Sequence, residues 1–188
     1  MVFVNTIRAF IGIRVDQSLA DACVQSIDRL QAECKDQSIR WTPIENLHVT
    51  LQFLGEINLK QVDQCMSMLT SVAKNTSALT LFWDDVICFP PNRPFAFAVA
   101  LRPSVSLVFL ADQLNRHSQF IGIEPDRHEF LPHITLGRVK TSSSFSAINA
   151  IEKITPTPTQ RVNSIILFES TLKDGRVVYK ALHSQKLS

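Results

Sequence analysis

The chain has 188 residues, of which 45% are hydrophobic and 19% are charged, with 5 glycines and 9 prolines. This composition is typical of a folded, water-soluble protein and excludes collagen, low-complexity disorder and a coiled coil. The formal net charge of +2 is too small for a protein that holds duplex nucleic acid mainly by neutralising many phosphates. The length fits one domain, residues 1–188, made of two similar lobes.

The sequence predicts a cytoplasmic protein. The apolar N-terminal segment has no basic leader, and no run approaches the ~18 apolar residues of a membrane span, so we expect no signal peptide and no membrane contact. The four cysteines contain no CxxC pair, which favours buried thiols in a reducing compartment over a zinc site or a disulfide framework. They are Cys23, Cys34, Cys65 and Cys88.

The first half of the chain alternates strands with helices. Residues 3–14 are rich in β-branched and aromatic side chains and predict a strand, after which Asp16 or Ser18 caps a helix. Residues 40–42 form a short extended piece, and residues 47–54 predict a second strand closed by Gly55. Two apolar stripes at helical spacing predict the helices, at positions 19, 23, 27, 30 and 34 and at positions 59, 62, 66, 69 and 73.

The second half repeats the order. We predict a strand at 79–89, a proline-rich turn at 90–94, a strand at 95–101, a helix at 104–119 and a strand at 132–138. A short helix at 144–153 and a polar link at 155–159 follow. Strands at 162–171 and 176–183 are joined by a hairpin turn at Asp174–Gly175. Strands and helices mix without regular βαβ alternation, which predicts an α+β fold with mostly antiparallel sheets.

Two of the predicted strands share one His-x-Thr pattern. His48 and Thr50 belong to the first half, and His133 and Thr135 occupy the corresponding place in the second. Because residues i and i+2 of a strand point to one face, each segment places an imidazole beside a hydroxyl. One neutral and one protonated imidazole can act as base and acid in the same turnover. The repeat therefore indicates an internal duplication and a phosphoryl-transfer site that needs no metal or other cofactor.

Neighbouring residues extend this site. Threonine hydroxyls and Arg138 can donate to phosphate oxygens, but strict alternation turns Arg138 away from His133, so a bulge or twist is needed after Gly137. Gln52 is at i+4 from His48 and is expected to share its face. The two histidines could instead bind a metal ion, but no carboxylate or cysteine stands at strand spacing from either of them.

Six segments carry a resemblance to a known family: residues 7–13, 40–41, 45–55 and 132–138, and the pair 167–170 and 175–179 of the closing hairpin. At these residues the sequence resembles the 2H phosphoesterase superfamily, and within it the LigT-like RNA 2′,3′-cyclic phosphodiesterases, also called 2′-5′ RNA ligases. The resemblance covers nearly the whole chain. It implies a bilobal α+β fold in which two mostly antiparallel sheets, related by a pseudo-twofold, surround a central cleft, with helices on the outer faces.

The resemblance also implies an activity. The expected substrate is an RNA or nucleotide end with a 2′,3′-cyclic phosphate, which water opens to a 2′-phosphomonoester. In the reverse sense, members of the family join RNA ends through a 2′-5′ linkage. By analogy with the family, His48 protonates the departing 3′ oxygen and His133 activates the water. The two motifs are nearly symmetric, so the sequence alone does not show which histidine is the acid and which is the base. Thr50, Thr135 and Arg138 would hold the phosphate. We expect a monomer with no obligatory protein partner.

Two further residues and two other functions stay open. Arg127 and Phe130 precede the second motif, where related proteins carry an arginine and an aromatic residue; they would reach the phosphate and stack a base, or brace a loop and pack in the core. The same site could act on a 2′-5′ oligoadenylate or an ADP-ribose cyclic phosphate. From a different class, the chain could bind RNA ends without useful turnover.

Overall fold

The computed structural model describes residues 5–33, 39–89, 96–139 and 158–188. Within these ranges the chain forms nine strands, three α-helices and a short 3₁₀ turn at Ile44–Asn46. The predicted turn at 90–94, the predicted helix at 144–153 and Cys34 lie outside the described residues. The elements are β1 (Thr6–Arg14), α1 (Gln17–Glu33), β2 (Ile39–Trp41), β3 (His48–Asn58), α2 (Leu59–Lys74), β4 (Leu79–Phe89), β5 (Ala96–Leu101), α3 (Val105–Gln119), β6 (His133–Val139), β7 (Thr159–Val162), β8 (Ser164–Lys173) and β9 (Arg176–Lys186).

Local side-chain and backbone preferences fix the ends of several elements. Asp16 begins α1, because its Oδ1 accepts a hydrogen bond of 2.9 Å from the backbone N–H of Leu19. The β8–β9 hairpin turns at Asp174 and Gly175, whose φ angles are 50° and 74°. Two successive positive φ angles are the conformation that an Asp-Gly pair favours. Both predictions from the sequence are therefore confirmed.

Two strand boundaries differ from the prediction. β3 does not stop at Gly55 but continues to Asn58, because Gly55 adopts a φ of 70° and still pairs with Ala9 of β1. The segment predicted as a polar link followed by one strand forms two strands instead. β7 pairs with β4, whereas β8 pairs with β1 and β9. The partner strand changes at Asn163, and this change does not alter the local hydrophobic pattern, so the pattern predicts one continuous strand.

The strands form one curled antiparallel sheet with the order β7-β4-β5-β6-β3-β1-β8-β9, and β2 pairs with β6. The two sheets expected from the sequence are the two halves of this sheet. They meet between β3 and β6 at a single paired position, Val49 opposite Ile134. The predicted α+β class and antiparallel arrangement are confirmed.

The helices pack against the sheet around the main hydrophobic core. α1 contacts β6 and β7, α2 contacts β3, β8 and β9, and α3 contacts β3, β4 and α2. Two of the predicted buried thiols lie in this core, where burial raises the pKa of Cys23 to about 12 and that of Cys65 to about 11. These thiols are therefore unreactive near neutral pH. None of the described helices is both long and apolar enough to cross a membrane.

Candidate active site

The two His-x-Thr motifs meet where the two halves of the sheet join. Val49, the middle residue of the first motif, pairs with Ile134, the middle residue of the second, in antiparallel register. Because equivalent residues face each other across antiparallel strands, a local twofold axis passes through this pair. Both middle residues are fully buried, and the histidines and threonines point to the opposite face. The two predicted motifs thus face each other about this local axis.

Both histidines are held in the same way. The Nδ1–H of His48 donates to the carbonyl of Asn46 at 2.7 Å, and the Nδ1–H of His133 donates to the carbonyl of Leu131 at 2.7 Å. Because a carbonyl only accepts, Nδ1 carries a proton in both rings, and each Nε2 is left to accept or donate one. The Nε2 of His48 lies 3.0 Å from the Oγ1 of Thr50. Each Nε2 is therefore available for proton transfer.

A β-bulge follows each motif. The register of β3 against β1 skips Leu51, and the register of β6 against β5 skips Leu136. One extra residue reverses the alternation of side chains, so the residue five positions after each histidine returns to the face of that histidine. These residues are Phe53 and Arg138, and both line one cavity. The predicted bulge exists, but it lies just before Gly137 rather than after it.

This cavity has a volume of about 570 Å³, which is in the range of sites for nucleotide-sized ligands. Ala96 and Ala98 of β5 form part of its wall, and their small side chains leave the space open. His48 is not one of the lining residues, but its Nε2 lies 3.0 Å from the Oγ1 of Thr50, which is one of them. The predicted site residues that line the cavity are Thr50, Gln52, Phe130, His133, Thr135 and Arg138.

The surroundings of the two histidines break the symmetry. The His48 ring lies 4.8 Å from the Phe10 ring and 4.9 Å from the Tyr179 ring, measured between centroids. Phe168 stacks on Phe10 at 5.0 Å. His133, in contrast, is exposed on the cavity side. One imidazole is therefore packed among aromatic rings, and the other is open to water.

Burial lowers the pKa of His48 below its ordinary value. The hydrogen bond to Asn46 acts in the opposite direction, and the nearby charges of His133 and Arg138 lower the pKa further. His48 is therefore mostly neutral at pH 7 in the free protein.

We expect NMR titration to show this shift. The His48 imidazole should protonate below pH ~6.5, the value of a free histidine, and its pKa should rise when phosphate binds, because an anion stabilises the imidazolium. The His48→Ala variant assigns the resonance. A His48 pKa at or above the free value in the ligand-free protein would contradict the role of burial.

Tyr179 and Asn46 are site residues that sequence reasoning did not single out. Tyr179 contacts His48 from strand β9, and the Asn46 side chain donates a 2.8 Å hydrogen bond to the backbone carbonyl of Val177 on the same strand. The C-terminal hairpin therefore supports His48 both through its ring and through the carbonyl of Asn46. The only sequence signal was the resemblance of residues 175–179 to the family's closing hairpin.

Replacement of Tyr179 by leucine should expose His48 to water. We expect the His48 pKa to rise toward the free value and kcat to fall about tenfold, whereas Tyr179→Phe should keep both close to wild type, because it keeps the ring. Steady-state kinetics and the NMR titration measure these effects. A loss in the phenylalanine variant equal to that in the leucine variant would show that the hydroxyl, and not the ring, matters.

Two predicted residues occupy unexpected places. Gln52 borders the cavity, but the bulge at Leu51 turns it away from the face of His48. It is 3% exposed, and its Nε2 donates to the Oγ of Ser118 on α3, so it links strand and helix. The prediction that it shares the histidine face is wrong. Arg127 is exposed, and the cavity is lined by its neighbours at 126 and 128.

Within the described ranges, no group of three or more His, Cys, Asp and Glu side chains is placed to hold a metal ion.

The sequence profile of the LigT like phosphoesterase family matches residues 13–96 and 101–179. The chain belongs to this family. A protein of Aquifex aeolicus, named RNA 2′,3′-cyclic phosphodiesterase, is 25% identical over 181 residues, covering 93% of this chain and 94% of that protein. A protein of Escherichia coli K12 with the same name is 28% identical over 170 residues, covering 81% of this chain and 89% of that protein.

Solved structures agree with this family. The structure of TT0787 from Thermus thermophilus has a TM-score of 0.83 at 20% identity, covers 96% of this chain and 98% of that one, and supports the fold. Escherichia coli LigT in complex with 3′-AMP has a TM-score of 0.75 at 25% identity, covering 98% and 99% of the two chains. The LigT-like 2H phosphoesterase fold predicted from the sequence is therefore confirmed.

Proposed function

We propose that this protein is an RNA 2′,3′-cyclic phosphodiesterase that opens the cyclic phosphate at an RNA end to a 2′-phosphomonoester. The observation that carries the proposal is the pairing of two His-x-Thr strands about a local twofold axis beside one cavity that also contains Arg138. Family membership and the names of the relatives support it.

The reaction needs one base and one acid on opposite sides of the phosphorus. His133 accepts a proton from water at Nε2 while the water oxygen attacks phosphorus. The bond from phosphorus to the 3′ oxygen breaks, and His48 gives its Nε2 proton to that oxygen. The products are a 2′-phosphomonoester and a 3′ hydroxyl. His48 is left neutral and His133 protonated, and exchange with water restores the starting state.

The different surroundings of the two imidazoles support this order of roles. The exposed His133 has access to the attacking water. His48 lies among aromatic rings, which exclude competing water and make its imidazolium a stronger acid. An anionic substrate raises the pKa of His48 on binding, so the protonated form required of an acid is populated when substrate is present.

Three donors would hold the phosphate. The Thr50 and Thr135 hydroxyls and the Arg138 guanidinium line the cavity. As water attacks, negative charge grows on the non-bridging phosphate oxygens, and donors fixed in place by a sheet stabilise that charge without reorganising. A 5′ hydroxyl that replaces water as the attacking group would give a 2′-5′ linkage by the same steps.

The test is hydrolysis of a synthetic RNA oligonucleotide with a 2′,3′-cyclic end in the presence of a metal chelator. We expect conversion to the 2′-phosphate, identified by chromatography against 2′- and 3′-phosphate standards. Substrate that is bound but left intact would support an RNA-end binding protein instead. Activity lost with the chelator and restored by a divalent metal would contradict the metal-free mechanism.

A substrate panel separates the remaining alternatives. It contains the cyclic-ended RNA, a 2′-5′ oligoadenylate and an ADP-ribose cyclic phosphate, each at the same concentration. We expect the highest kcat/KM for the RNA end. A higher value for either other compound would keep the chemistry and overturn the assigned substrate.

A further inference from the structure

Two arginines extend the cationic side of the active site beyond the cavity. Arg14 of β1 is paired directly with His48, and Arg40 of β2 is paired directly with Arg138. Directly paired residues of antiparallel strands lie about 5 Å apart and point to the same face. Arg14 therefore stands one strand away from His48, and Arg40 stands one strand away from Arg138, on the site's own face of the sheet. Neither lines the cavity.

Both side chains are exposed. Among the ion pairs within the described ranges, none involves Arg14, Arg40 or Arg138. The Arg14 guanidinium carbon lies 5.5 Å from the centroid of the Phe168 ring, a contact that orients the group without cancelling its charge. The three arginines form a row of positive charge, here called the arginine track, at the His48 end of the site.

Acidic side chains lie in the cavity, which Arg14 and Arg40 do not line. Asp112, Asp126 and Glu129 all line the cavity, which contains the exposed His133. A polyanion that enters the site is therefore attracted along the arginine track and repelled along the carboxylates. A nucleotide that carries only one phosphate would be satisfied by Arg138 and the threonines and would leave Arg14 and Arg40 unused.

We propose that the arginine track binds the phosphates of the RNA strand on the 5′ side of the terminal cyclic phosphate, so that the protein selects oligonucleotides over mononucleotides. This inference rests on the proposed function, because it assumes that the cyclic end occupies the histidine pair. It adds a second binding region and a minimum substrate length. The track adds two charges, those of Arg14 and Arg40, to the site, which suits a single strand rather than a duplex.

The experiment compares kcat/KM for a 2′,3′-cyclic mononucleotide and for a pentanucleotide with the same cyclic end. We expect the wild-type protein to prefer the pentanucleotide about tenfold at low salt. Each phosphate contact contributes roughly −0.7 to the slope of log kcat/KM against log salt, so the preference should shrink as salt is added. The mononucleotide should show the weaker dependence on salt.

The double variant Arg14→Ala, Arg40→Ala should reduce the pentanucleotide-to-mononucleotide ratio from about ten to about one. The matched control is the double variant Arg102→Ala, Arg161→Ala, which removes the same amount of charge. Arg102 is exposed next to β4, and Arg161 is exposed on β7. This control should keep the ratio. Equal use of both substrates by the wild type, or an unchanged ratio in the double variant, would overturn the proposal. Failure to hydrolyse either substrate would instead overturn the proposed function.

Discussion

Alanine in place of either His48 or His133 should lower kcat/KM for a cyclic-ended RNA by about 10²–10⁴, the usual contribution of a positioned acid or base. Each imidazole has its Nδ1 bound to a backbone carbonyl two residues earlier, which leaves its Nε2 as the atom for proton transfer. The Nε2 of His48 contacts the Thr50 hydroxyl. The double variant should lose little more than each single variant, because an acid and a base that act in one step are not additive. Initial rates at several substrate concentrations measure these losses.

His117→Ala is the matched control. His117 lies on α3, where its Nδ1 bonds to the carbonyl of Gln113 and its ring contacts Phe120, away from the residues that line the cavity. Its kcat/KM should stay within twofold of wild type, and all variants should unfold near the wild-type temperature. Near-normal turnover by either active-site variant would contradict the two-histidine mechanism.

Alanine in place of Arg138 should lower kcat/KM by about 10²–10³, the loss found when one preorganised donor to a developing oxyanion is removed. Lysine should restore only part of the rate, because a single ammonium cannot make the two parallel bonds of a guanidinium. The His48 pKa should rise in the alanine variant, since the positive charge of Arg138 contributes to lowering it. Kinetics and NMR titration give independent readouts of the same charge.

The control for this prediction is Arg102→Ala, in which the lost arginine pairs with Asp84 at 3.6 Å on the surface. It should leave kcat/KM within twofold of wild type and the His48 pKa unchanged. If Arg138→Ala behaved like this control, the arginine would not contact the phosphate, and the two threonines alone would have to stabilise the transition state.

The candidate site residues were accessible from the sequence because strand geometry is local. Alternation alone places His48 beside Thr50 and His133 beside Thr135, and the repeat indicates that the two pairs are equivalent. Arg138 required one further step: alternation turns it away, and only a bulge returns it to the site. That step was predicted, with an error of one residue in its position.

Contacts between distant segments were not accessible in the same way. Strand alternation predicts that Gln52 shares the face of His48, and this prediction fails. The cause is a second bulge at Leu51, equivalent to the bulge that turns Arg138 toward the site. The ring of Tyr179 on β9 contacts the ring of His48. On the same strand, the carbonyl of Val177 accepts a hydrogen bond from Asn46, which is 131 residues earlier in the chain. Such pairs depend on strand order, which the hydrophobic pattern does not encode. The unequal burial of two equivalent histidines follows from these contacts.

The most direct test of the mechanism uses a cyclic substrate in which sulfur replaces the bridging 3′ oxygen. A thiolate leaves without being protonated, because it is a far weaker base than an alkoxide, so an acid catalyst becomes unnecessary. We expect His48→Ala to recover nearly wild-type kcat/KM on this substrate, while His133→Ala keeps its full loss. Recovery by His133→Ala instead would reverse the two roles, and recovery by neither variant would contradict proton transfer from a histidine to the 3′ oxygen.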